Sequence, residues 1–424
     1  MGISFRHRGS WSVLFALLIP ACGDGSADQA TPLPQVTSRD SAGLVIVENH
    51  VPAGEYPVAL RVTSEPSIRI GRVTGTAADQ LFRVRGAVHL DDGRIAILNG
   101  GTQEVRVFGP DGEFLVQLGG QGDGPGEFQF AAHLSLVPPD TIVVWDGLTW
   151  EASWFDTQGN LLRSEPGRHQ FADLLPEDRF VEGGAALPGT GMLLNAYKFG
   201  ARATPGEARR PDLDLVFINT AARESHVIEG NFDGLEQVSL SFQGRQGSAP
   251  VPFGRSAFFG VGGRPPAIWG GDTDVFELRQ FDAYGRLERL VRLNEPRVAV
   301  TGADAADYLD RTEQAMRIAG VPDSILMGQM EMVRSVEPAD SMPTFGQVYV
   351  TTSGGAWVST RSDWIPGSTG RAYHVFSADG RWRGVVRAPV GARILEIGDD
   401  YLLALRTDEL DVEFVELFSL SAGR

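Results

Sequence analysis

A phenylalanine closing a short apolar strand, with glycine or alanine four positions later, recurs six times: Phe108/Gly112, Phe155/Gly159, Phe217/Ala221, Phe281/Gly285, Phe376/Gly380 and Phe418/Ala422. The steps between copies are 47, 62, 64, 95 and 42 residues. Around the phenylalanines stand segments such as VRVFGPDGEFLVQL, LRQFDAYGRLERLV and YHVFSADGRWRGVV, each a strand, a turn and a returning strand. Glycine supplies the positive φ that such turns need, and alternation such as Val105/Val107 fits strands with one buried face. Ahead of each phenylalanine strand lies another apolar run (RIAILN, TIVVWD, YLLAL), and before some of these a third (GAVHL, AHLSL).

Three to four short strands per unit at a base period of about 42–47 residues is the mark of a β-propeller blade. One blade cannot bury both its faces, so blades stack radially and the six phenylalanines belong between them. The expectation is an all-β, six-bladed β-propeller spanning 41–424. The last copy ends with the chain and lacks its outer strand. Ser67–Ile70 is an outer strand with no blade of its own, so it should complete blade six and remove an exposed edge. Leu44–Val47 and Val58–Val62 should add a layer or flank this closure. The long step between blades four and five holds Thr301–Val336, whose apolar residues follow helical spacing on both sides of Gly320-Val321-Pro322. A helical hairpin is expected at about 301–336, either as a buttress on the ring or as a lid over the channel.

Residues 1–21 read as an export signal: Arg6 and Arg8, then a nine-residue apolar run from Trp11 to Ile19, too short to cross a bilayer. The run ends in Ile19-Pro20-Ala21-Cys22, which resembles the lipobox of bacterial lipoproteins, with Ile19 and Pro20 in place of the commoner residues. That resemblance implies lipidation at Cys22, the only cysteine, a lipid anchor in the membrane and a place in the cell envelope. Residues 22–40 are small, polar and proline-bearing, and are expected to form a flexible tether. With 54 acidic against 37 basic side chains, the formal charge is −17, which argues against nucleic acid as a partner.

The first copy, RIAILNGGTQEVRVFGPDGEFLVQLGGQGDGPGEF (Arg94–Phe128), resembles the NHL repeat: a strand with a polar end, the Arg-Val-Phe-x-x-x-Gly turn and a glycine-rich run into the next blade. It departs at Asn99-Gly100-Gly101-Thr102, where that family commonly has Asp-x-Gly-Asn. The resemblance implies a six-bladed propeller lipoprotein, in a family known mostly for binding across one face.

No hydrolase elbow, His-Glu-x-x-His, P-loop or EF-hand pattern is present. Inner strands should begin near Arg85, Arg179, Arg255 and Arg393, with Gln129 and Gln347 at the matching places in blades two and five. Converging at a channel mouth, such side chains can bind a carboxylate or phosphate, or they can pair with neighbouring acidic loops. Trp145 and Trp364 fall on the same face, where exposed aromatics suit a protein or sugar. These features favour a non-catalytic module that binds an anionic small molecule, a glycan or a protein and needs no cofactor. Two alternatives stand beside it. One is a calcium-dependent hydrolase or lactonase of the regucalcin type, with Asp146, Asp272 and Asp363 as oxygen ligands at the ends of second strands. The other is a structural envelope scaffold. His89 and His133, on inner strands, are expected to line the channel or sit hydrogen-bonded in the core.

Overall fold

The computed structural model describes residues 35–52, 55–165, 167, 171–187, 191–198, 204, 206–220, 222–242, 245–361 and 371–423. The export signal, Cys22, most of the tether, Asp363 and Trp364 lie outside the described residues.

Six four-stranded antiparallel units follow one another. From inner to outer strand, blade one is Val84–His89, Ile95–Asn99, Glu104–Phe108 and Phe114–Leu118. Blade two is Ala131–Val137, Thr141–Asp146, Ala152–Phe155 and Leu161–Glu165. Blade three is Arg179–Leu187, Gly191–Lys198, Asp212–Asn219 and Glu224–Asp233. Blade four is Ala257–Gly262, Ala267–Asp272, Glu277–Phe281 and Leu287–Asn294, and blade five Val348–Val350, Ala356–Ser359, Ala372–Phe376 and Trp382–Arg387. Blade six contributes Arg393–Ile397, Tyr401–Thr407 and Glu413–Ala422.

The Phe-x-x-x-Gly spacing has a geometric cause. In four blades the register slips by one residue just before the phenylalanine, which then faces the residue six places on: Phe108 opposite Phe114, Phe155 opposite Leu161, Phe281 opposite Leu287 and Phe376 opposite Trp382. The bulged turn needs one left-handed residue, and Gly112, Gly159, Gly285 and Gly380 supply it with φ between 77° and 97°. All six phenylalanines are buried. They belong to clusters that each join two neighbours; Phe155 packs with Val105 and Val107 of blade one, and Phe108 with Leu403, Leu405 and Val415 of blade six. The other four joints are also filled, with Phe217 and Phe281 together between blades three and four and tryptophans with Phe171 between blades two and three, so the ring closes.

Blade six is completed as expected. Ile68–Ile70 pairs antiparallel with Glu413–Ala422, Ile70 opposite Val415 and Ile68 opposite Leu417. The rest of that edge is taken by Leu60–Val62, with Leu60 opposite Ala422. Leu44–His50 instead joins blade four, parallel to Leu287–Asn294, and Gln35–Ser41 pairs outside it. Gln35–Asp40, expected within the tether, are therefore in a strand.

The inserted hairpin is present as helix α1 (Gly302–Ile318) and helix α2 (Asp323–Arg334). Thr301 caps α1, its hydroxyl accepting from the Asp304 N–H while the Asp304 carboxylate accepts from the Thr301 N–H. A second insertion had no clear sequence signal: Ala208–Arg209, Gln237–Phe242 and Arg245–Pro250 form a separate three-stranded sheet. The two insertions meet, Val336 packing with Ala249 and Val251, and Tyr308 lying 5.4 Å from Phe253 between ring centres. The hairpin thus rests on the second insertion.

Candidate functional site

The inner strands start, and the second strands end, on one face of the ring, and the predicted arginines and glutamines do lie there. Each has a local partner. Arg85 donates to the Ala131 carbonyl of blade two at 2.6 Å and lies over the Phe130 ring. Arg393 donates in the same way to the Val84 carbonyl of blade one. Both act as staples between adjacent inner strands. Arg179 pairs with Asp214 (2.6 Å) and Asp178 (2.8 Å). Arg255 grips Glu236 with Nε and Nη2 at 3.1 and 3.0 Å, and each raises the preference of the other for its charged form. Gln129 donates to Asp123, and Gln347 accepts from Tyr349 and Arg371. Arg179 and Arg255 thus take the second of the two expected roles, pairing with nearby acidic side chains, while Arg85 and Arg393 bond to adjacent inner strands.

Trp145, which the sequence allowed either to be exposed on this face or to sit half-buried between blades, is in such a joint. It lies on the second strand of blade two, 2% exposed, packed with Trp150, Trp154 and Phe171 in the joint to blade three.

The carboxylates read as calcium ligands are engaged as well. Asp146 is buried and accepts four backbone N–H groups: Gln129 (2.8 Å) and Phe130 (2.7 Å) at Oδ2, Leu148 (2.8 Å) and Thr149 (2.9 Å) at Oδ1. It ties the start of the inner strand to the loop after the second. In blade one Asn99 does similar work, accepting from the Phe82 N–H at 2.7 Å and donating to Thr102. Asp272 holds Arg210 across the joint between blades three and four. Among the described residues no group of three or more His, Cys, Asp or Glu side chains is placed to hold a metal ion.

At the opposite end of the channel, Arg264 in the turn after the inner strand of blade four crosses the ring. Its Nη2 donates to Glu396 Oε1 of blade six at 2.6 Å and to the His89 carbonyl of blade one at 3.3 Å. Glu396 also accepts from the Tyr401 hydroxyl (2.8 Å) and the His89 N–H (2.7 Å). Burial pushes the Glu396 carboxyl above its usual pKa, against the pull of Arg264. Burial likewise holds the His89 and His133 imidazoles below theirs. Both histidines lie on inner strands, as expected.

Two clefts lie on the face where inner strands begin, separated by the three-stranded inserted sheet. Successive side chains of a strand point to opposite faces. Ala208 and Arg209 pair with Val238 and Gln237 respectively. Ala208, Val238 and Leu240 line one cleft, whereas Arg209 and Gln237 line the other. The first cleft, of about 600 Å³, also meets the chain after α2, and carries Glu236, Asp274, Glu337 and Asp340 against Arg255 and Arg297. The second, of about 430 Å³, caps blade three. Its lining holds Lys198, Arg209 and Arg210 against Asp212, together with Phe180 and Tyr197. The two rings stack at 5.5 Å with 24° between planes, and Phe180 is 43% exposed. Arg210 is committed to Asp233, Asp272 and the Gly234 carbonyl, and Lys198, whose side chain is about half exposed, lies 4.0 Å from Asp178. Sequence reasoning missed this cleft, although Arg179 is the immediate neighbour of Phe180 and Lys198 is the one lysine in the chain.

A family model described as a six-bladed β-propeller matches residues 75–146. No curated protein matches the chain. Among solved structures, one from Bacteroides fragilis, described as an exported protein, is 11% identical, with 89% of this chain aligned to all of that one at a TM-score of 0.46. The calcium-binding protein regucalcin of Agrobacterium tumefaciens is 10% identical, covering 85% of this chain and 98% of its own at 0.34. Virginiamycin B lyase of Staphylococcus aureus is 9% identical, covering 85% and 98% at 0.35.

Proposed function

We propose that this chain is an exported, lipid-anchored binding module that takes an acidic sugar in the cleft over blade three. One observation carries the reading. In a chain of net charge −17, this cleft sets the exposed Phe180 ring beside a half-exposed lysine, Lys198, whose pairing with Asp178 is only at 4.0 Å. The weakly positive C–H face of a sugar ring suits the negative face of Phe180, and the ammonium of Lys198 suits a carboxylate. The rigid ring of blades supplies a platform on which these groups are held before the ligand arrives. Cys22 provides the anchor, and the polar segment after it lets the module stand off the membrane.

Calorimetric titration with trigalacturonate, using uncharged galactotriose for comparison, tests this. The acid should bind and the neutral sugar should bind at least tenfold more weakly. Phe180→Ala should weaken both by about tenfold and Lys198→Glu the acid alone, each equivalent to about 1.4 kcal/mol. Equal affinity for the two sugars, or indifference to both substitutions, would remove the reading.

A further inference from the structure

On the face where inner strands begin, blades one and two leave Phe82, Phe130 and Leu148 58%, 46% and 57% exposed. The two rings are seated on glycine: a Cβ on Gly101 would lie 2.4 Å from the Phe82 ring, and one on Gly147 3.2 Å from the Phe130 ring. Between them the Arg85 guanidinium lies 3.8 Å from the centre of the Phe130 ring, and a Cβ on Gly100 would come within 2.8 Å of its Nε. The strip therefore runs without a break from Phe82 over Gly101 and Gly100 to Arg85 and Phe130, with Leu148 next to Gly147 in the chain. Arg83 lies over the other ring, 5.1 Å from the centre of Phe82. Neither arginine has a carboxylate partner among the described residues; Arg85 donates to the Ala131 carbonyl and to Gln103 Oε1. The carboxylates of Asp146 and Glu413, which reach this strip, accept backbone N–H groups instead, Asp146 from Phe130 and Glu413 from Val84, both at 2.7 Å. Burial first, and the Arg83 charge second, disfavour the Arg85 cation, so an anion brought to the pair would relieve their repulsion.

We propose that this strip docks a protein partner, through a segment in which a carboxylate is flanked by large apolar side chains. The carboxylate pairs with Arg83, and the apolar groups cover Phe82, Phe130 and Leu148. Charge complementarity selects the acid: in a chain of formal charge −17, these two neighbouring arginines have no counter-ion of their own. Arginine stacked on an aromatic ring, and fixed before contact, is the make-up of an interface core. A sugar is less suited, because Arg85 already covers one face of Phe130, and the net charge opposes an anionic membrane. The strip is separate from the cleft over blade three and does not rest on the acidic-sugar reading.

The test titrates two blocked peptides, Leu-Asp-Phe-Asp-Leu and its uncharged counterpart Leu-Asn-Phe-Asn-Leu, into the full-length chain with side-chain methyl resonances as the readout. The acidic peptide should give saturable shifts at the Leu148 methyls, and the uncharged one should bind about tenfold more weakly. Arg83→Glu should bring the two affinities together by weakening the acidic peptide alone. Phe130→Ser should weaken both, and if that variant does not fold, Phe82→Ser reads the same loss at the more exposed ring. Trigalacturonate should leave the Leu148 methyls unmoved. No saturation at millimolar acidic peptide, shifts confined to other blades, or equal binding of the two peptides by the unaltered chain would each overturn the proposal. So would trigalacturonate, or vesicles of phosphatidylglycerol, saturating the Leu148 shifts in a manner that Arg83→Glu abolishes, since the strip would then serve a sugar or a membrane.

Discussion

Asp146 shows how a residue type that suggests a ligand can be used up by the backbone. Its two oxygens accept from the N–H groups of Gln129, Phe130, Leu148 and Thr149. Asp146→Ala would leave four part-buried donors without that partner, and a loss of about 2 kcal/mol or more is expected in denaturant unfolding. Asp146→Asn keeps one acceptor oxygen and should cost less. A loss below about 1 kcal/mol for Asp146→Ala would show that the carboxylate is not the tie it is described as here. The arginines were legible in position, and Arg179 and Arg255 in their pairing with carboxylates, but the role of Arg85 and Arg393 was not. The position follows from counting back from the strand, whereas the role depends on a carbonyl in the next blade, as with Arg85 and Ala131. Such partners are set by the stacking of blades and leave no local mark.

At the scale of the strand and the helix, the pattern carried furthest where it had a fixed spacing. The phenylalanine turns, the Thr301 cap and the pairing of Ile68–Ile70 with the final strand all rest on short-range rules that a single segment expresses. The second insertion was not readable because Ala208–Arg209 is two residues long and its partner strands begin 28 places later. Closure leads to a prediction of its own. A chain starting at Leu44 loses, of the described residues, only 35–43, a rim strand and its turn with no buried residue, and should unfold within about 1 kcal/mol of the full chain. A chain starting at Arg72 loses both strands that cover Glu413–Ala422, together with buried Ile70. It should unfold at least several degrees lower and self-associate through the exposed edge. Equal thermal midpoints for the two truncations would contradict the closure.

For the whole molecule, the six blades form a frame whose joints are filled by phenylalanine, tryptophan and branched aliphatic side chains, and whose two faces carry different chemistry. The face where inner strands begin holds the inserted sheet, the helical hairpin and two clefts of opposite charge balance. The opposite end is spanned by Arg264, with Glu396 and His89 as its partners. The proposed anion site lies over blade three, around Phe180 and Lys198, where strands of the blade itself meet the inserted sheet. A crystal structure of the complex with trigalacturonate tests this most directly. The account predicts a sugar ring against Phe180 with its carboxylate within hydrogen-bond reach of Lys198. Density for the ligand in the channel, or between Glu236 and Arg297, would contradict it.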